Sequence, residues 1–135
     1  MPLKPAKFQA KREIRKLDAM CREIIMARDK STCRRCGKGS EQAQIHWCHI
    51  FSRGAKSVRW DMTNSLAMCA GCHFWAHHNP TLFTAFVLSA VLPDPDVYAS
   101  LVQRAAKPQP LNPTVVFGWW QYLSDEAQKY NVRTP

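Results

Sequence analysis

This sequence has no apolar run of the roughly 18 residues that a membrane span requires. Its longest, LFTAFVLSAVL, falls well short, so no membrane partner is expected. The stretch MPLKPAKFQAKR lacks an apolar signal segment, which points to a cytoplasmic rather than an exported protein. Internal repeats and low-complexity tracts are absent, which argues against solenoids and linker-dominated chains. Acidic residues are few: 10 Asp and Glu face 19 Lys and Arg, for a net charge of +9. The shortage is local. Residues 1–40 carry twelve basic against four acidic side chains, residues 41–135 seven against six. A field gathered at one end suits a polyanionic partner, with nucleic acid foremost; a solubilising basic tail has the same composition.

What is present suffices for one domain over residues 1–135, with 46% apolar residues to build a core. Residues 1–7 read as a loose arm. From Phe8 to Asp29 the apolar residues Ile14, Leu17, Met20, Cys21, Ile24 and Ile25 recur at three- and four-residue steps. That is the stripe of an amphipathic helix whose other face is basic, with Cys21 in the core. Glu41–Phe51 reads as a strand and Val58–Met62 as a second, with Trp60 buried. Asn64 leads into SLAMCAGCHFWAHH, whose latter part forms a short helix. Asn79-Pro80 ends that helix and starts another as N-cap and first turn. Residues 81–92 read as a buried helix, 96–106 and 114–130 as two more, with Phe117, Trp119, Trp120 and Tyr122 as packing groups.

Six cysteines without an export signal favour metal binding over disulfides. Cys33 and Cys36 form one C-x-x-C and Cys69 and Cys72 another. Two such knuckles close a four-thiolate site that suits structural zinc. A thioredoxin-like redox motif would need a single pair opening a helix beside a parallel sheet, and that pattern is missing. His73 and His77 follow the second knuckle at i and i+4, one face of a helix, where a pair of imidazoles can hold a second metal. His78, turned by about 100° on that helix, serves neither metal.

Taken together, C-R-R-C, C-H-I-F-S-R-G, R-W-D-M-T-N and C-A-G-C-H-F-W-A-H resemble the HNH nucleases, the ββα-metal or His-Me finger family. The matching stretch runs from Cys33 to about Pro80. SRG…RWD…N…CAGCH…NP is similar to small phage-encoded recombination endonucleases of the NinG-like type. The resemblance implies an α+β fold: a zinc-stapled ββα core over 33–80, a basic helix over 8–29 and further helices over 81–130. It implies that His49 is the general base, that Asn64 pins the loop before the helix, and that His73 and His77 hold one divalent ion, Mg²⁺, Mn²⁺, Ni²⁺ or Zn²⁺. The reaction implied is hydrolysis of DNA to 5′-phosphate and 3′-hydroxyl ends, in phage recombination, processing or packaging, alongside proteins of those pathways.

One position departs from the family pattern. The residue before the base is usually an Asp or His ligand and here is Cys48, which stands either as a third ligand for a softer ion or as a small buried residue. His46, two residues back on the same strand face, is the nearest substitute. Arg53 reads as a clamp on the scissile phosphate or as a solvated loop charge. Lys11, Arg12, Arg15, Lys16, Lys56 and Arg59 are the residues expected to track the DNA backbone. Two other functions stay open: a noncatalytic zinc module that binds DNA or a partner protein, and a structure-selective nuclease acting on branched DNA or RNA.

Overall fold

The computed structural model describes residues 7–134; most of the arm expected over residues 1–7 lies outside that range. It is a mixed α+β fold of five α-helices and a two-stranded antiparallel sheet. Helix α1 spans Ala10–Arg28, strand β1 Ile45–His49, strand β2 Ser65–Cys69 and helix α2 Ala70–His78. Helices α3 (Pro80–Phe86), α4 (Pro95–Ala105) and α5 (Pro113–Lys129) complete the chain. No helix among the described residues is long and apolar enough to cross a membrane.

The apolar stripe of α1 is the anchor. Leu17, Cys21, Ile24 and Ile25 are fully buried, and with Met20, Trp60, Met62 and Ala67 they meet Val116, Leu123 and Ala127 of α5. A second apolar layer lies across the sheet, where Cys48, Leu66 and Met68 pack on Ala76 of α2, Phe83 of α3 and Val87. The sheet is thus covered on both faces. That explains why all five residues of β2 are buried and why no polar–apolar alternation marks it.

The second strand therefore lies later than Val58–Met62, the segment expected to form it. Residues 58–61 form a turn and Met62–Asn64 a short 3₁₀ helix, while β2 pairs with β1 in the register Trp47↔Ala67 and His49↔Ser65. Side-chain bonds pull the turn onto α1 instead of into the sheet. Asp18 accepts from Arg59 Nε at 2.9 Å, Arg59 Nη2 at 2.6 Å and Trp60 Nε1 at 2.8 Å. Asp61 caps the 3₁₀ turn by accepting from Thr63 N at 2.9 Å, and pairs with Arg104 of α4.

The other edge of β2 is closed by hydrogen bonds rather than by a third strand. Ala67 N–H donates to Asp29 Oδ2 and Ala67 C=O accepts from Arg34 N–H, both at 2.9 Å. Burial raises the Asp29 carboxyl, but bonds from Arg28, Ala67 N–H and Arg34 outweigh it and hold it below its ordinary range. A buried carboxylate this well satisfied also shields an edge that would otherwise present free backbone groups.

Residues 81–92 differ from the buried helix expected of them. Phe83 and Val87, one helical turn apart, are the buried residues here, with Phe86, Val91 and Leu92 partly buried against the same core; the chain widens into a π turn over Val87–Val91, and Leu82 and Leu88 are exposed. Asn79 stands between α2 and α3 as expected, but its amide donates back to Trp75 C=O rather than capping α3. Of the α5 aromatics, Trp119 packs edge-on to Trp60, Tyr122 accepts from Met62 N–H, and Trp120 donates to Glu13. Phe117 instead points outward, 62% exposed.

Candidate functional site

The tight turn Cys33–Cys36 and the junction of β2 with α2 bring four thiols together. The Sγ atoms of Cys33, Cys36, Cys69 and Cys72 all lie within 4.8 Å of one another, with Cys36 and Cys69 3.6 Å apart. Four thiolates around one zinc at about 2.3 Å would stand about 3.8 Å apart, so this set is positioned to hold a metal ion such as zinc. The local backbone explains how. Gly37, at φ +81°, takes the left-handed turn that a side chain resists, letting its N–H donate to Cys33 C=O. Cys36 N–H donates to Cys33 Sγ at 3.5 Å. Cys69, last residue of β2, is also the N-cap of α2, its sulfur accepting from Cys72 N–H at 3.4 Å. Burial raises the Cys33 thiol, but donors from Cys36, Cys69 and Arg35 overcome it and hold it at about 6. Arg35 adds a cation, donating to Cys72 Sγ at 3.4 Å while lying 3.6 Å over the Trp75 ring.

A different set of groups gathers where the end of β1 and the loop after it meet α2 and α3. His49, Arg53, His73 and His77 line one depression of about 400 Å³, with Cys48 in its wall. His49 Nε2 lies 3.1 Å from Arg59 C=O. A carbonyl can only accept, so Nε2 carries the proton and Nδ1 keeps its lone pair. Burial pushes the His49 imidazole down to about 4, with Arg53 and Arg59 adding to the effect, so it is neutral at pH 7. Its ring lies 4.2 Å from that of Trp47.

Besides the Asp18 bonds, a fully buried side chain ties together the loop that carries Arg53 and the Arg59 carbonyl. Asn64, 0% exposed, accepts from Phe51 N–H at 2.8 Å and donates to Phe51 C=O at 3.1 Å and Val58 C=O at 3.0 Å. Its own carbonyl accepts from Ile50 N–H at 2.8 Å, next to His49. Asn64 thereby spans residues 51–58 and takes no part in the depression itself.

On α2, His73 Nε2 and His77 Nε2 stand 3.1 Å apart, one helical turn from each other. Two nitrogens bound at about 2.1 Å to one ion would lie roughly 3.0–3.4 Å apart, so the pair fits a single metal. His73 Nδ1 meets His46 Nδ1 at 3.0 Å on its other side. The three rings form a chain, with His46 behind His73 rather than beside His77. Burial lowers the His73 imidazole, and His77, His46 and Arg53 lower it further.

No known protein family, curated protein or solved structure matches the chain.

Cys48 is 2% exposed and packs against Leu66 and Met68; burial pushes its thiol up to about 12. It forms no convergent set with the histidine nitrogens. Among the described residues, only the four cysteines bring three or more such ligand atoms within 4.8 Å of one another. His78 stacks on Phe74 at 3.9 Å and bonds the Phe74 carbonyl, away from His77. The six residues expected on DNA scatter. Of the four on α1, Arg15 lines the groove that also holds His46 and His73; Lys16 lines the α1–α5 side and Arg12 the end near Pro113. Lys56 is exposed, and Arg59 is matched by Asp18 inside the fold. Arg22, Gln44 and Trp47, which no motif marked, share a surface with Arg15 and Arg53. The seven-residue step from Arg15 to Arg22 was the available signal, since it keeps both on one helix face.

Proposed function

We propose that this protein is a metal-dependent endonuclease of the HNH type that hydrolyses phosphodiester bonds in DNA. One observation carries the reading. A neutral imidazole with a free Nδ1, His49, shares one depression with an imidazole pair, His73 and His77, spaced to hold one ion. The order β1, β2, α2, with the four cysteines stapling the strand–helix junction, is in keeping with a ββα-metal core. Zinc in the cysteine cluster would be structural, since four protein thiolates leave no open position for substrate.

A divalent ion on His73 and His77 would supply Lewis-acid stabilisation of the negative charge that grows on phosphate oxygens. The chain's own groups do the rest. His49 Nδ1 accepts a proton from water as the water oxygen attacks phosphorus, while Nε2–H stays on the Arg59 carbonyl and keeps the ring oriented. The bond from phosphorus to the 3′-oxygen breaks and that oxygen takes a proton from solvent, leaving 5′-phosphate and 3′-hydroxyl ends. Arg53, exposed on the loop, is free to meet a phosphate oxygen. With His73 donating through Nδ1 to His46, its Nε2 keeps the lone pair that faces His77; His46 then orients a ligand rather than acting as one.

A noncatalytic zinc module that binds nucleic acid has one observation in its favour: a buried neutral thiol, Cys48, occupies the place of the usual third ligand. Incubating supercoiled and linear DNA with the protein and Mg²⁺, Mn²⁺, Ni²⁺ or Zn²⁺ separates the readings. Nicking that His49→Ala lowers by about a hundredfold or more supports the nuclease. An inert parent, or a variant as active as the parent, refutes it.

A further inference from the structure

The groove between α1 and β1 assigns a path for the nucleic-acid strand that the basic helix as a whole does not. Arg15, Asp18, Ala19 and Arg22 follow one another at helical spacing along one face of α1. Opposite them stand His46 and Trp47 of β1 and Arg53 of the loop, enclosing about 460 Å³. Arg15 and Arg22 lie about 10 Å apart along the helix axis, with small Ala19 leaving room between them.

Charge in the groove is one-sided. Its only carboxylate, Asp18, is already bonded to the Arg59 guanidinium and the Trp60 indole. Arg15, Arg22 and Arg53 have no acidic side chain within salt-bridge distance among the described residues, unlike Arg28, Arg34, Arg59 and Arg104. Arg15, Arg22 and Arg53 are also exposed, so their guanidinium groups are available to a ligand. At its far end the groove runs into the His49 depression, with which it shares Trp47, Arg53 and His73.

We infer that this groove seats the phosphates flanking the cleavage point, Arg15 and Arg22 holding the backbone and Arg53 joining that path to the histidines. The inference rests on the nuclease reading for its second half, but not for its first, which concerns binding alone. It departs from a helix whose whole basic face tracks DNA, because Arg12 and Lys16 line other depressions and Lys11 is not among the residues lining the groove.

The test is binding of a short fluorescein-labelled DNA duplex, followed by anisotropy across a salt series without added divalent ion. Arg15→Gln/Arg22→Gln is compared with Lys11→Gln/Arg12→Gln/Lys16→Gln. Counting charges predicts that the triple variant loses more. The groove predicts the reverse: the double variant binds roughly tenfold or more weakly at about 0.1 M salt, and its salt slope flattens by about two units. A double variant that loses less than the triple overturns the inference. Arg15→Lys/Arg22→Lys is expected to keep most of the slope; its loss there too would overturn the assignment to phosphate. A parent that binds duplex through the groove yet never cuts it refutes the nuclease reading and leaves the groove standing. A parent that does not bind duplex refutes the groove.

Discussion

Replacing Asn64 removes the one side chain that ties residues 51 and 58 together. In Asn64→Ala, Phe51 N–H, Phe51 C=O and Val58 C=O each lose their partner, the last of them fully buried and the two at Phe51 partly so. At about 1 kcal/mol for each lost bond, and up to about 3 for a buried group left unpaired, the loss is on the order of 3 kcal/mol. For a domain of this size that lowers Tm by roughly 10 °C. Asn64→Asp keeps the acceptor for Phe51 N–H but sets a carboxylate against two carbonyl oxygens, which raises its pKa in the folded state. Its destabilisation is therefore smallest below about pH 4, where the acid is protonated in both states, and grows as pH rises. Thermal melts of both variants across pH, with zinc content held constant, check the sign and the size. The loop also carries the Arg59 carbonyl that orients His49, so nitrogen chemical shifts of the His49 ring should change with the melt. A Tm within about 2 °C of the parent, or an alanine variant worse at high pH than the aspartate, would refute this account of Asn64.

Cys36→Ser is expected to yield unfolded or insoluble protein, and chelation of the parent to abolish its cooperative melt, because binding at a closed thiolate site contributes directly to folding; a zinc-free variant that still melts cooperatively counts against this. His49 is expected to stay neutral at about pH 5.5, where a free imidazole is mostly charged, since its pKa lies near 4. Nitrogen NMR showing an imidazolium there would contradict the buried geometry; by the same shift, His49 favours folding above about pH 6.5 and loses that contribution as pH falls toward 4. Mn²⁺ or Ni²⁺ is expected to support cleavage at lower concentration than Mg²⁺, because imidazole ligands favour transition metals. Activity confined to Mg²⁺ would mean oxygen ligands other than the His73–His77 pair.

Local physical chemistry determined part of this protein before any folding. The three- and four-residue rhythm of α1 is visible in the chain because a helix face repeats within a few residues, and Leu17, Cys21, Ile24 and Ile25 are fully buried where that rhythm puts them. The two C-x-x-C knuckles and the His73–His77 step are equally local: each is set by a tight turn or one helical turn, and the four sulfurs converge. What only the tertiary structure decided depends on partners far away in sequence. β2 could not be read because it is buried on both faces, which erases alternation. Arg59 looks like a free cation until Asp18, 41 positions away, claims it. His46 reaches His73 across 27 positions, and Arg15 shares a groove with Arg53 because Asp18 and Trp60 bring the loop onto α1. Spacing along a chain encodes faces of helices and turns; which charges cancel and which remain for a ligand is settled by packing, and packing is not periodic.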